Sequence, residues 1–176
     1  TRLRCDWSSD VCSSDLGILF IHGGPTSQFV DDLQLQVQHL VQRGYVVLMP
    51  NIRGSSGYGK AFEELNDGDW GHSDLKDVLA GAEFLKGLDY VDADNMGITG
   101  TSYGGIMSMC AVCFTPGSFQ AAAPMSGYAD WPELRHEVEL RHLKLMDHEF
   151  GPYEQNSEAW RRSSPIYTVG NATTPC

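Results

Sequence analysis

The chain has 176 residues, 41% hydrophobic, 20% charged and 10% aromatic, which suits one domain with a core and is too apolar for intrinsic disorder. Its longest apolar runs, Gly17–Ile21 and Tyr45–Met49, fall far short of the ~20 residues a membrane-spanning helix needs. Twelve Lys and Arg against 23 Asp and Glu give a net charge of −11, which repels phosphate backbones and anionic headgroups. Neither nucleic acid nor a membrane is therefore an expected partner, and a soluble chain is expected; its location is left open, with the cytoplasm favoured.

Residues 1–16 carry neither helical nor strand periodicity and lack the apolar centre of a signal peptide. Cys5 to Leu16 resembles the translation of a short-read sequencing adapter, so the segment is read as non-native and the domain as residues 17–176. With it go Cys5, Cys12, two Arg and three Asp, which leaves a charge of −10 and three cysteines. Of these, Cys110 and Cys113 form a C-x-x-C among Met107, Met109, Ala111, Val112 and Phe114, with no basic neighbour to lower a thiol pKa. They read as small core-facing helical residues. No H-E-x-x-H and no carboxylate cluster at ligand spacing is present, so neither a metal nor a cofactor is expected.

Gly17–Ile21 is wholly apolar and suits a strand buried on both faces, ending in the turn His22-Gly23-Gly24-Pro25. Between Asp31 and Arg43, Leu33, Val37, Leu40 and Val41 predict an amphipathic helix closed by Gly44. Tyr45–Pro50 is the next strand, and Asn51–Gly59 a Gly- and Ser-rich loop. Ser73 is placed to cap a helix with an apolar face of Leu75, Val78, Leu79, Ala82 and Leu85, stopped by Gly87. A third strand is expected over Met96–Thr99, a third helix over Tyr103–Thr115 before Pro116, and a fourth strand over Phe119–Ala123. From Tyr128 to Arg162 the chain is charged and helical, an excursion over one end of the sheet. The alternation predicts an α/β fold with a parallel sheet and helices on both faces.

Gly100-Thr101-Ser102-Tyr103-Gly104 is a G-x-S-x-G between a strand and a helix, the setting in which this motif presents a nucleophile. Flanking glycines allow a strained turn that exposes the Ser102 hydroxyl, and the helix N-terminus beneath favours developing negative charge. An oxyanion hole is then expected from the Tyr103 amide and an amide of the His22–Pro25 loop, Gly24 in particular.

HGGP at 22–25, Asn51-Ile52-Arg53-Gly54-Ser55-Ser56-Gly57-Tyr58-Gly59, Asp69-Trp70-Gly71 followed by Asp74 and Asp77, and GTSYGG at 100–105 together resemble the catalytic domain of the prolyl oligopeptidase family of serine peptidases. The acylaminoacyl-peptidase and dipeptidyl-peptidase-like branch is the most similar. The resemblance implies an α/β-hydrolase fold, a peptide substrate, an accompanying β-propeller domain, Ser102 as nucleophile, and Gly24 and Tyr103 as oxyanion-hole amides. It also places Met125, Tyr128 and Trp131 in the pocket for the residue before the scissile bond.

The family's acid and histidine follow later strands, so the sheet is expected to be partial, cut before the strands that carry them, and the chain inactive alone. His136, His142 and His148 follow Ser102 but sit among Glu133, Glu137, Glu139, Asp147 and Glu149, as solvated-face residues would. Two other functions compete. HGGP is close to the oxyanion loop of esterases and lipases, which share G-x-S-x-G. Gly54–Lys60 fits the phosphate-binding G-x-x-x-x-G-K, but Ala61 stands where a hydroxyl must reach Mg²⁺. A non-catalytic module would require Ser102 to be idle.

Overall fold

The computed structural model of the chain describes residues 15–137 and 140–176. Four parallel strands form one sheet in the order β2-β1-β3-β4, with β1 at Asp15–Ile21, β2 at Val46–Leu48, β3 at Val91–Thr101 and β4 at Ala121–Met125. Seven α-helices are described: α1 (Leu35–Gln42), α2 (Lys60–Glu63), α3 (Ser73–Lys86), α4 (Tyr103–Phe114), α5 (Trp131–Glu137), α6 (Leu140–Phe150) and α7 (Tyr153–Arg162). Side chains alternate across the pleat, so Leu19, Ile21, Ile98 and Ala122 point to one face and are buried beneath α3 and α4. The opposite face, with Ile18, Phe20, Ala121 and Ala123, carries α1 over an apolar groove of about 550 Å³. Helices on both faces of a parallel sheet are what the alternating elements predict.

The element limits differ from the sequence expectations for local reasons. Strand β1 starts at Asp15, whose N–H donates to Tyr90 O at 2.9 Å, because strand pairing needs only backbone. The expected non-native segment thus overlaps β1 at Asp15 and Leu16; its residues 1–14 lie outside the described residues. Helix α1 begins four residues later than expected, with Asp32 Oδ1 accepting from Leu33 N in a local turn, so Leu33 stands before the helix and 67% exposed instead of on its apolar face. Ser73 is the first residue of α3 and not its cap; the role falls to carboxylates, Asp69 Oδ2 accepting from Ser73 N at 3.2 Å and Asp74 Oδ1 from Leu75 N at 2.8 Å. Strand β3 gains residues at its start because Val91 and Asp92 pair with Asp15 and Leu16; the register then shifts between Leu16 and Gly17, where Asp92 accepts from Asp94 N and Asn95 Nδ2. Strand β4 lies two residues downstream of expectation, with Gly97 to Thr101 paired to Ala121 to Met125, while Phe119 turns into the core.

The excursion is helical as expected. It folds back through an aromatic cluster in which Trp70 meets Trp131 and Phe150 at ring separations of 5.2 and 4.9 Å, and Phe150 meets Trp160 at 5.4 Å. Cys110 and Cys113 are both buried on α4, where burial raises their thiol pKa values, in keeping with packing residues.

Candidate active site

Ser102 sits between β3 and α4 with φ 59° and ψ −117°, a conformation that costs roughly 1–3 kcal/mol outside glycine. The surroundings hold it there. Its N–H donates to Met125 O at 2.9 Å and its carbonyl accepts from Ile106 N at 3.0 Å. The turn is possible only because its neighbours lack side chains: a Cβ on Gly100 or on Gly104 would run into the Ile21 carbonyl, and one on Gly105 into the Met125 carbonyl. The elbow is thus pressed directly onto the ends of β1 and β4.

Tyr103 and the loop that contains Gly24 flank this serine. Tyr103 opens α4, so its N–H has no intrahelical acceptor. On the other side the His22–Pro25 loop lies against Ser102, since a Cβ on Gly23 would stand 3.6 Å from Ser102 Cβ and 3.4 Å from Thr101 O. Gly24 follows at φ 130°, where a side chain is strained. His22 locks the loop: Nδ1 faces Gly23 O at 2.7 Å and Nε2 faces Ser55 Oγ at 2.8 Å, and burial lowers its pKa against the pull of the Gly23 carbonyl. It is a structural histidine.

Behind the elbow, three further segments converge. The Tyr103 hydroxyl donates to Asp74 Oδ2 at 2.5 Å and accepts from Asn66 Nδ2 at 3.0 Å, and its ring stands edge-on to Trp70 at 5.2 Å. Burial pushes Asp74 up to about 6 against the pull of its four donors, Tyr103, Gly71 N, Leu75 N and Asn66. One turn along α3, Asp77 takes the Arg53 guanidinium through Nε and Nη2 at 2.8 and 2.6 Å and accepts from Arg53 N at 2.9 Å. Burial alone would raise Asp77, but the Arg53 bonds outweigh it and hold the carboxylate below its ordinary range. A Cβ at Gly54 would strike the Asn66 amide and one at Gly57 the Gln28 amide, so these two glycines are used for close packing, while Tyr58, Gly59 and Lys60 are exposed.

The remaining expected residues are scattered. Met125 presents its carbonyl to Ser102 N, and its side chain lines the groove beneath α1. Tyr128 is half exposed on the loop after β4. Trp131 is 3% exposed and its indole N–H donates to Ser163 O at 2.9 Å, a core anchor within the aromatic cluster. Neither of the latter two joins Met125. His136 and His148 are exposed on α5 and α6, and the His142 side chain lies outside the described residues. No described histidine or carboxylate hydrogen-bonds Ser102 Oγ. Sequence reasoning missed Asn66 and Asp74 as neighbours of the elbow; the spacing of Asp74 and Asp77 after Trp70-Gly71 is the signal that singles out that helix start.

A parallel sheet, helices on both faces and a strained serine elbow at the end of a central strand define the α/β-hydrolases. The prolyl oligopeptidase family profile matches residues 31–176. The chain belongs to that family, whose members are serine peptidases. It is 32% identical over 162 residues to an uncharacterized peptidase of Bacillus subtilis, covering 90% of this chain and 24% of that protein. It is 34% identical over 159 residues to dipeptidyl-peptidase 5 of Aspergillus oryzae, covering 84% and 21%. The solved acylaminoacyl peptidase of Pyrococcus horikoshii superposes with a TM-score of 0.85 at 28% identity, over 93% of this chain and 27% of that one. An acylaminoacyl peptidase in complex with Z-Gly-Gly-Phe-chloromethyl ketone superposes with a TM-score of 0.86 at 29% identity, over 93% and 26%. The chain spans about a quarter of the length of these relatives.

Proposed function

We propose that this chain carries the nucleophile and oxyanion hole of a serine peptidase acting on oligopeptides. The strained Ser102 elbow, wedged between the free Tyr103 N–H and the Gly23-Gly24 loop, is the observation that carries this reading. Ser102 Oγ attacks the scissile carbonyl and gives its proton to a histidine base; the carbonyl oxygen becomes an oxyanion facing the amides of Tyr103 and Gly24. Collapse expels the amine, which takes the proton from the histidine, and water hydrolyses the acyl-enzyme by the same route. The chain spans about a quarter of the length of its relatives, and we assign the base and its acid to the remainder of such a longer protein, of whose catalytic domain residues 17–176 are a part. In that longer protein a β-propeller restricts entry to peptides, as the resemblance implies. Of the three residues expected in the pocket, Tyr128 is the half-exposed one and is assigned here to contact substrate, while the buried Trp131 is assigned to the core.

The test is fluorophosphonate labelling of the longer protein, of its Ser102→Ala variant, and of the 176-residue chain by itself. The longer protein is expected to label at Ser102 and to hydrolyse peptides. Ser102→Ala is expected to lose both, with a fall in kcat of roughly 10⁴–10⁶. The short chain, without the base, is expected to label far more slowly. Full activity in the Ser102→Ala variant would overturn the reading.

A further inference from the structure

We propose that Asp74 is a positioning residue for catalysis, gripping the Tyr103 hydroxyl so that the Tyr103 N–H keeps its aim at the oxyanion; the inference rests on the peptidase reading above. Tyr103 belongs to the site through its backbone and to the core through its side chain, which is 1% exposed. Backbone and ring share one Cα, so anchoring the ring restrains that Cα and with it the peptide unit that presents the N–H. The ring is fixed at three points: the hydroxyl to Asp74 Oδ2, the same oxygen to Asn66 Nδ2, and the edge-on contact with Trp70.

Asp74 in turn cannot shift. Its other oxygen takes Gly71 N and Leu75 N, both at 2.8 Å, which seats the carboxylate on the first turn of the 14-residue helix α3. Asn66 is pinned from the far side by Gly54, where any Cβ would strike its amide. The three sequence motifs around Gly54, around Trp70 and around Ser102 therefore meet at one buried point behind the oxyanion donor.

Stability alone does not account for a carboxylate here. Asp74 is 0% exposed, and no cation hydrogen-bonds it among the described residues, since Arg53 is turned onto Asp77. A buried carboxylate without a cation costs the fold free energy that an apolar pair of similar shape would not. What it supplies is direction: a charge-assisted hydrogen bond is short and angularly demanding, and an oxyanion donor works only near 2.7–3.1 Å from the developing charge. A displacement of about 1 Å in such a group costs on the order of 100-fold in rate.

Tyr103→Phe and Asp74→Asn, made in the full-length protein that carries this chain, test the proposal by kcat, KM and two affinities. One affinity is for a peptide boronate, which bonds to Ser102 and places an oxygen in the oxyanion hole; the other is for the product peptide, which does not use it. Tyr103→Phe is expected to lower kcat 10- to 100-fold with KM within twofold, and to weaken the boronate in step while the product peptide binds as before. Asp74→Asn, which keeps an acceptor for Gly71 and Leu75 but weakens the grip on the hydroxyl, is expected to fall in the same direction. Tyr103→Phe retains the ring and its contact with Trp70, and its product-peptide affinity reports the fold independently of the oxyanion hole, which keeps the test decisive even where Asp74→Asn does not fold. Wild-type kcat in Tyr103→Phe overturns the proposal, as does a loss of kcat with boronate affinity intact. Full activity in Ser102→Ala would instead remove the peptidase reading itself, so the two failures are distinguishable.

Discussion

At the scale of single residues, the site is made by what is missing as much as by what is present. Gly100, Gly104 and Gly105 let the elbow touch the carbonyls of Ile21 and Met125, and no rotamer relieves a Cβ placed against backbone. Gly104→Ala is therefore expected to destabilise the fold by about 3 kcal/mol or more, read as a large fall in the denaturation midpoint. Gly44, at φ 93° with open space around it, tests the contrast: Gly44→Ala is expected to cost only about 1 kcal/mol, from its left-handed backbone. Ser102 was legible because the G-x-S-x-G spacing is a purely local pattern. Trp131 was not, because an aromatic side chain reads alike in the sequence whether it meets substrate or Trp70.

Between elements, helix α3 acts as an anchor from which two loops hang. Asp77 holds the β2 loop through Arg53, and Asp74 holds the elbow through Tyr103. The Arg53–Asp77 pair is two-pronged and less than a third exposed on either side, so it is worth more than an ordinary surface pair. A double-mutant cycle with Arg53→Ala and Asp77→Ala is expected to return a coupling of about 1–2 kcal/mol by chemical denaturation. Arg53→Lys is expected to recover little of it, since one ammonium cannot span both carboxylate oxygens. Helix periodicity revealed the apolar face of α3 but not this polar one, because a carboxylate on a helix start looks the same whether it caps the helix or braces a distant loop.

The whole molecule carries its acidity unevenly. Burial, then the charge of Asp67, lifts Glu149 to about 7, while the nearby His148 pulls the other way. Burial also raises Asp67. Between pH ~4.5 and ~7 the folded protein keeps a proton on Glu149 that the unfolded chain has released, so the contribution of this site is full at acid pH and is lost as pH rises through 7. Glu149→Gln is expected to raise stability at pH 8, by on the order of 2–3 kcal/mol at most, and to change little at pH 4, as thermal melts across that range would show. Among the described residues no helix is long and apolar enough to cross a membrane.

The sequence by itself determined the α/β alternation, the burial of the C-x-x-C cysteines and the glycine-lined turn at Ser102, because each is written in residues a few positions apart. Only the tertiary structure decided where the polar groups of those elements find partners. Tyr103 meets Asp74, Asn66 meets Gly54, and Trp131 meets Ser163, pairs that lie far apart along the chain. A buried hydroxyl, amide or carboxylate must be satisfied by whatever the packing brings within reach, and no local pattern records which group that will be.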